Sequence, residues 1–174
     1  MTGIGSVSRC YNRQESRMSL ILSRPDLARH RGEWRQAGLK VVFTNGCYDL
    51  LHPGHVRLLE AARNLGDRLI VAINSDSSVQ RLKGPRRPIL PESERAALLA
   101  GLHAVDAVTI FGEDTPHAVL EAVLPDVLVK GADWSHWIAG REIVEAAGGS
   151  VQALPLEPDY STTDIEKRII SLHT

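Results

Sequence analysis

An alternation constrains this chain more than any other feature. Five short apolar runs recur along it: KVVFT (40–44), RLIVAI (68–73), AVTIF (107–111), DVLVK (126–130) and SVQALPL (150–156). Helical patterns stand between and after them: PGHVRLLEAARNLG (53–66), ESERAALLAGLH (92–103), TPHAVLEAV (115–123), IAGREIVEAAG (138–148) and STTDIEKRIISL (161–172). The runs are continuously apolar, as strands buried on both faces are. Strands linked by crossover helices pair in parallel with right-handed connections. The expected fold class is therefore α/β, a Rossmann-like five-stranded parallel sheet with helices on both faces. One more helix precedes it, SRPDLARHRGEWRQAG (23–38), with Ser23 as cap, Pro25 in the first turn, Asp26 at the positive end and Gly38 as the stop. Ligands of such sheets bind beyond the carboxyl ends of the strands, where the strand order reverses.

The chain has 174 residues, enough for one domain whose core needs no disulfide or metal staple. Residues 1–19 are polar and aperiodic and read as a flexible leader. The domain then covers 20–174, with the N-terminal helix at 23–38 and the core over 39–174. The net charge of -1 argues against a broad nucleic-acid-binding face, though not against a small nucleotide. Cys10 falls in the leader and Cys47 among the candidate site residues, so no structural disulfide is expected and a reducing compartment fits. No apolar run approaches the roughly 20 residues that span a membrane. The leader also lacks the apolar core of a signal peptide, and MSLIL is too brief to supply one. The expectation is a cytoplasmic protein without a membrane partner.

Chemistry concentrates where strands end. In FTNGCYDLLHPGH (43–55), His52 and His55 flank Pro53 and Gly54 at the start of a helix. Unpaired backbone N–H groups and the helix dipole favour an anion there, and Gly54 lets a phosphate approach the backbone. Two imidazoles at that point can donate hydrogen bonds to a phosphate gaining charge. Ser161, Thr162 and Thr163 open the last helix in the same manner, although an ordinary N-cap also explains them. Between these lies NSDSSVQRLKGPRRP (74–88), read as a basic loop at the site edge. Lys83 beside Gly84 is its candidate phosphate-gripping cation. Arg81, Arg86 and Arg87 are possible assistants, and Arg95 on the next helix is within plausible reach of the phosphates. VKGADW (129–134) ends the fourth strand, so Lys130, Gly131, Asp133 and Trp134 face the same crevice, Trp134 as a stacking surface and Trp137 as a weaker one. Neither a zinc-ligand spacing nor a nucleophile–base constellation is present.

The histidine stretch resembles the HxGH signature of the nucleotidylyltransferase superfamily, which includes cytidylyltransferases, phosphopantetheine adenylyltransferase and class I aminoacyl-tRNA synthetases. The segments FTNGCYDLLHPGH, LGDRLIVAINSDSSVQRLKG, RPILPESERAALLAGL, VDAVTIFGEDTP, PDVLVKGADW and STTDI are together similar to the D-glycero-β-D-manno-heptose 1-phosphate adenylyltransferases. That resemblance covers nearly all of 39–171. It implies a nucleotidylyltransferase fold and transfer of AMP from ATP to the heptose 1-phosphate, with pyrophosphate leaving. It assigns His52 and His55 to the α-phosphate, Lys83 to the polyphosphate, and Ser161, Thr162 and Thr163 to the leaving pyrophosphate. It places Thr44, Asn45, Gly46, Cys47, Tyr48, Asp49, Gly54, Asn74, Asp76, Arg95, Lys130 and Gly131 around the nucleotide, Asp49 also bracing its turn, and Asp133 and Trp134 at the sugar phosphate. Mg²⁺ would bridge the phosphates without direct protein ligands. A homodimer is implied, and so is a separate heptose kinase upstream, because no kinase half is present. A cytidylyltransferase acting on glycerol 3-phosphate or a related polyol phosphate is the alternative. It is weakened by LEPDYSTT, which lacks the arginine that family carries before its ISTT element, and by His103 where that family has an arginine. A nucleotide-binding regulator without catalysis is the other alternative. Tyr160 also departs from the small residue common before STT in the heptose family.

Overall fold

The computed structural model describes residues 19–132, 138–155 and 160–173. Six strands make one sheet: β1 (Leu20–Ile21), β2 (Val41–Gly46), β3 (Arg68–Asn74), β4 (Ala107–Phe111), β5 (Val127–Gly131) and β6 (Ser150–Leu154). Their order is β1-β4-β3-β2-β5-β6, and every pairing is parallel. Among the described residues, seven helices accompany them: α1 (Arg24–Gln36), α2 (Pro53–Arg63), α3 (Asp76–Lys83), α4 (Glu92–Ala100), α5 (His117–Val123), α6 (Arg141–Ala146) and α7 (Thr162–Ser171).

From β2 the chain moves outward through β3 to β4, then returns to the other side of β2 for β5 and β6. The order reverses between β2 and β5, and the crevice of a doubly wound sheet opens there. Each face of the sheet carries its own core. Leu59 and Ala62 of α2 and Ala96 and Leu99 of α4 pack on Val42, Leu69, Val71 and Val129. Leu27 of α1, Val119, Leu120 and Val123 of α5 and Val144 of α6 pack on Val41, Phe43, Ile70 and Leu128. Alternate residues of β2 thus feed opposite cores, as the two-residue period of a strand requires.

Three expectations change. The sheet has a sixth strand, β1, whose residues pair with Ala107 and Val108. Leu20 N–H donates to Asp106 O and Leu22 N–H to Val108 O. Two residues carry no periodicity, so nothing local announces such an edge strand. The stretch at 74–88 is not simply a loop. Its first part folds as α3, capped by Ser75, whose Oγ accepts from Ser78 N–H, and ended by Gly84 at φ +96°. Helix α5 begins at His117 rather than at Thr115, with no side-chain cap bond. Boundaries move by two or three residues elsewhere: α6 starts at Arg141, and β6 ends at Leu154. Ser23 caps α1 as expected, accepting from Asp26 N–H. The leader lies, apart from Ser19, outside the described residues, as do Asp133, Trp134 and Trp137. No helix among the described residues is long and apolar enough to cross a membrane.

Candidate active site

A cavity of about 640 Å³ opens at the carboxyl ends of β2, β3 and β5. Its wall takes Thr44, Asn45 and Gly46 from β2, Cys47, Tyr48 and Asp49 from the following turn, and His55 from α2. Asn74, Lys83, Lys130, Gly131 and Thr162 complete the set of expected residues that line it. Sequence positions more than a hundred residues apart meet here because parallel crossovers deliver each strand end to the same edge.

The histidines form an ordered pair. His52 is the N-cap of α2, and its Nδ1 accepts from His55 N–H at 3.3 Å. In the neutral ring that bond places the proton on Nε2. The two rings stack with centroids 3.7 Å apart and planes 20° apart. Tyr48 closes the far side of His55 at 5.0 Å, and Tyr160 lies nearly parallel to His52 at 6.3 Å. His55 Nδ1 is buried without a hydrogen-bond partner among the described residues, which leaves Nε2 for a ligand. Burial pushes the His55 pKa down to about 4, with further lowering from His52 and Lys83. Burial also lowers that of His52. Both imidazoles are therefore neutral donors near pH 7, not imidazolium ions.

Two glycines make room for this stack. A Cβ at Gly54 would lie 3.1 Å from His52 Nδ1 and 3.2 Å from the Tyr160 Cβ. Tyr160 thus packs onto the turn between the histidines instead of disturbing it. A Cβ at Gly46 would meet the Tyr48 ring at 3.0 Å. Tyr48 itself adopts φ +47°, a conformation that non-glycine residues seldom hold. Its burial pushes the phenol up to about 12, tempered by a hydrogen bond with Thr44.

Several expected ligand contacts are instead supports. Arg95 is fully buried and does not line the cavity. Its guanidinium donates to Leu90 O, Cys47 O, Asn74 O and Asp76 Oδ1. The reach to phosphate expected for Arg95 is corrected on that ground: its Nη atoms hold the segments that follow β2 and β3, and its Nε holds Leu90 ahead of α4. Asp76 is likewise turned to Arg95 while its N–H donates to Glu92 Oε2, and it does not line the cavity. Asp49 reaches the wall but braces the turn, accepting from Ile89 N–H, Leu90 N–H and Arg87. Burial pushes its pKa up, and those hydrogen bonds outweigh it, so the carboxylate titrates below its usual range. Arg87 also pairs with Glu166 of α7 at 2.6 Å, tying the last helix to this turn. Arg81 pairs with Asp114 and donates to Gly112 O. Of the four cations in 81–87, Lys83 lines the cavity, and its side of α3 is exposed.

The remaining placements are mixed. Lys130 Nζ donates to Asn45 O at 2.9 Å, bridging the ends of β5 and β2. Burial raises the pKa of the Cys47 thiol, and its Sγ lies 3.8 Å from Asn74 Oδ1. Ser161 caps α7, its Oγ accepting from Asp164 N–H and donating to Asp164 Oδ2. Thr162 faces the cavity, whereas Thr163 is exposed and does not line it. Five lining residues escaped the sequence reading: Leu82, Asp114, Thr115, Pro116 and Ala139. The FGEDTP turn was the available signal for three of them, since it follows a strand whose carboxyl end faces the crevice.

A cytidylyltransferase-like family model matches residues 43–168, which is most of the chain. The chain is 53% identical over 152 residues to the bifunctional protein HldE of Acidiphilium cryptum. That alignment covers 87% of this chain and 31% of the relative. The HldE protein of Hahella chejuensis is 57% identical over 136 residues, covering 78% of this chain and 28% of the relative. The chain thus spans under a third of the length of these curated relatives. Among solved structures, the lipopolysaccharide core biosynthesis protein of Thermoplasma volcanium aligns with TM-score 0.57 and 28% identity, over 71% of this chain and all of that one. A pantoate-beta-alanine ligase from Francisella tularensis shares the fold, with TM-score 0.58 at 16% identity, over 90% of this chain and 78% of that one. The central strand β2 running into the histidine turn, a last helix opened by hydroxyls and a match spanning both lead to one conclusion: the chain belongs to the cytidylyltransferase-like family of nucleotidyltransferases.

Proposed function

We propose that this chain transfers AMP from ATP to D-glycero-D-manno-heptose 1-phosphate, giving ADP-heptose and pyrophosphate. The observation that carries the reading is the stacked, neutral histidine pair at the N-terminus of α2, whose His55 shares one cavity with Lys83 and Thr162 while His52 stacks on it from behind. The likeness to HldE proteins and to a lipopolysaccharide core biosynthesis protein supports heptose chemistry. A phosphate oxygen of the sugar attacks the α-phosphorus in line. The bond from that phosphorus to the bridging oxygen breaks, and the electron pair leaves with pyrophosphate. The nucleophile is already anionic, so no strong base is needed, and catalysis is positioning plus charge stabilisation.

Each residue then has a task. His52 and His55 donate from Nε2 to the α-phosphate as it gains charge. Lys83 grips the polyphosphate, and Thr162, with the N–H groups that open α7, holds the leaving pyrophosphate. Thr44 through Asp49, Gly54, Asn74, Lys130 and Gly131 shape the nucleotide site, and Asp133 and Trp134 are assigned to the sugar phosphate. Mg²⁺ bound with ATP would supply charge neutralisation on the phosphates, alongside Lys83 and the N–H groups of α7. A homodimer, a cytoplasmic location and a heptose kinase activity upstream belong to the same proposal.

The test is pyrophosphate release from heptose 1-phosphate and Mg²⁺, with ATP and CTP offered in parallel. Release with ATP alone is expected. Release with CTP alone would overturn the adenylyl assignment in favour of a cytidylyltransferase. Silence with both, despite ATP binding, would leave a nucleotide-binding regulator.

A further inference from the structure

Thr115 and His117 at the start of α5 form, with Glu142 of α6, an array with no part in the scheme above. Thr115 and Pro116 line the cavity. Thr115 Oγ1 lies 2.7 Å from His117 Nδ1, and His117 Nε2 lies 3.0 Å from Glu142 Oε1 on α6. An ionised carboxylate only accepts hydrogen bonds, so Nε2 carries the ring proton. In the neutral imidazole Nδ1 then only accepts, and Thr115 must donate to it. The single hydroxyl proton of Thr115 is thereby committed, and Oγ1 keeps its lone pairs for a partner in the cavity.

The position of the array suits a role in recognition. α2 packs on one face of the sheet through Leu59 and Ala62, and α5 packs on the other through Val119, Leu120 and Val123. The cavity runs between them over the strand ends. A ligand with its phosphate at α2 can extend a non-phosphate part toward α5. Leu82, Pro116 and Ala139 are apolar walls of the same cavity. A fixed polar atom among apolar walls is how small-molecule sites select an orientation.

We propose that Thr115 is a specificity-determining acceptor for an O–H or N–H donor on the non-phosphate part of the substrate. His117 and Glu142 are positioning residues that hold its hydroxyl in the accepting form. The inference rests on the nucleotide-site reading of the cavity. The same donor chemistry occurs on the nucleoside, as the base amine or a ribose hydroxyl, and on the sugar, as a heptose hydroxyl.

The experiment is equilibrium binding to the full chain, with Thr115→Val, Thr115→Ser, His117→Leu and His117→Asn alongside the parent. The probes are Mg-ATP, purine riboside triphosphate (ATP without its amine), 2′-deoxy-ATP, 3′-deoxy-ATP and heptose 1-phosphate. Thr115→Val is expected to weaken one class of ligand about tenfold, the usual effect of leaving a buried donor unpaired. The analogue lacking the matching donor should bind parent and variant alike. Thr115→Ser should restore the parent pattern. His117→Leu should follow the valine variant, and His117→Asn, which keeps an acceptor near Nδ1, should follow the parent. A loss confined to nucleotides identifies the nucleoside as the source, and one confined to heptose 1-phosphate identifies the sugar. Equal weakening of every probe, no weakening of any, or failure of serine to restore binding overturns the proposal. A parent that binds ATP without turnover sinks the transferase reading and leaves this comparison valid. A parent that binds none of the probes overturns both.

Discussion

At the residue scale, His55 carries the most weight. Its ring is held between His52 and Tyr48, and its buried Nδ1 leaves one nitrogen to act. His55→Ala removes a donor aimed at developing charge, so kcat should fall at least about a hundredfold. Pyrophosphate release under saturating substrates measures this, and near-normal turnover would end the assignment. The same burial makes His55 a stability sensor. Its pKa is about 4 in the fold against 6.5 ordinarily. Between those values the unfolded chain takes up a proton that the folded chain refuses, so stability falls as the pH drops through this window. Urea unfolding from pH 7 to pH 4 should show His55→Gln losing less stability than the parent. Parallel losses would mean that other groups set the acid limit. The histidine pair was legible in the sequence because HPGH at a strand-to-helix junction already implies an anion site. The stack, and the burial that keeps both rings neutral, were not, because they depend on how the turn packs between Tyr48 and Tyr160.

At the element scale, the strand-to-helix turns decide the outcome. Arg95 shows how a charge in a sequence can mislead: beside a phosphate site it reads as a ligand, but α4 aims it inward. It replaces water for three backbone carbonyls and one carboxylate. Arg95→Met would leave the Asn74 carbonyl buried and unpaired and strip the partly buried Leu90 and Cys47 carbonyls of their donor, and should destabilise the fold by about 2–3 kcal/mol. Denaturant unfolding checks the size, and a change under about 1 kcal/mol would contradict the supporting role. Lysine should not rescue it, since a single ammonium cannot reproduce the planar fork. The alternation of short apolar strands and amphipathic helices was readable because each element carries its own pattern. α3 was not, because its DSSVQRLK sequence is polar enough to resemble a loop. Its cap at Ser75 and stop at Gly84 were the signals available. β1 exists only by pairing with β4, a tertiary fact that two residues cannot encode.

At the scale of the whole molecule, the cavity is where both cores are joined. Its wall draws on the ends of β2, β3 and β5, on α2 and α3, and on α7. No side chain of α7 is fully buried, and Arg87 bridges that helix to Asp49 at the turn. A polyphosphate held by His55, Lys83 and Thr162 would therefore draw together elements that the apolar cores hold unevenly. The consequence is a coupling of ligand to global stability. With Mg-ATP at a hundred times its Kd, linkage adds about 2.7 kcal/mol to the folded state. For a domain of this size that raises the thermal midpoint by about 5–10 °C. Lys83→Ala separates the contribution of the site from that of the fold, because Lys83 is exposed and its loss opens no buried space. The variant without ligand should melt within about 1 °C of the parent, as exposed substitutions usually do. In the same ATP concentration its shift should drop to less than half. Scanning calorimetry with and without Mg-ATP measures both quantities. An unchanged shift in the variant would remove Lys83 from the polyphosphate site, whereas a lower melting point without ligand would make it a structural cation instead.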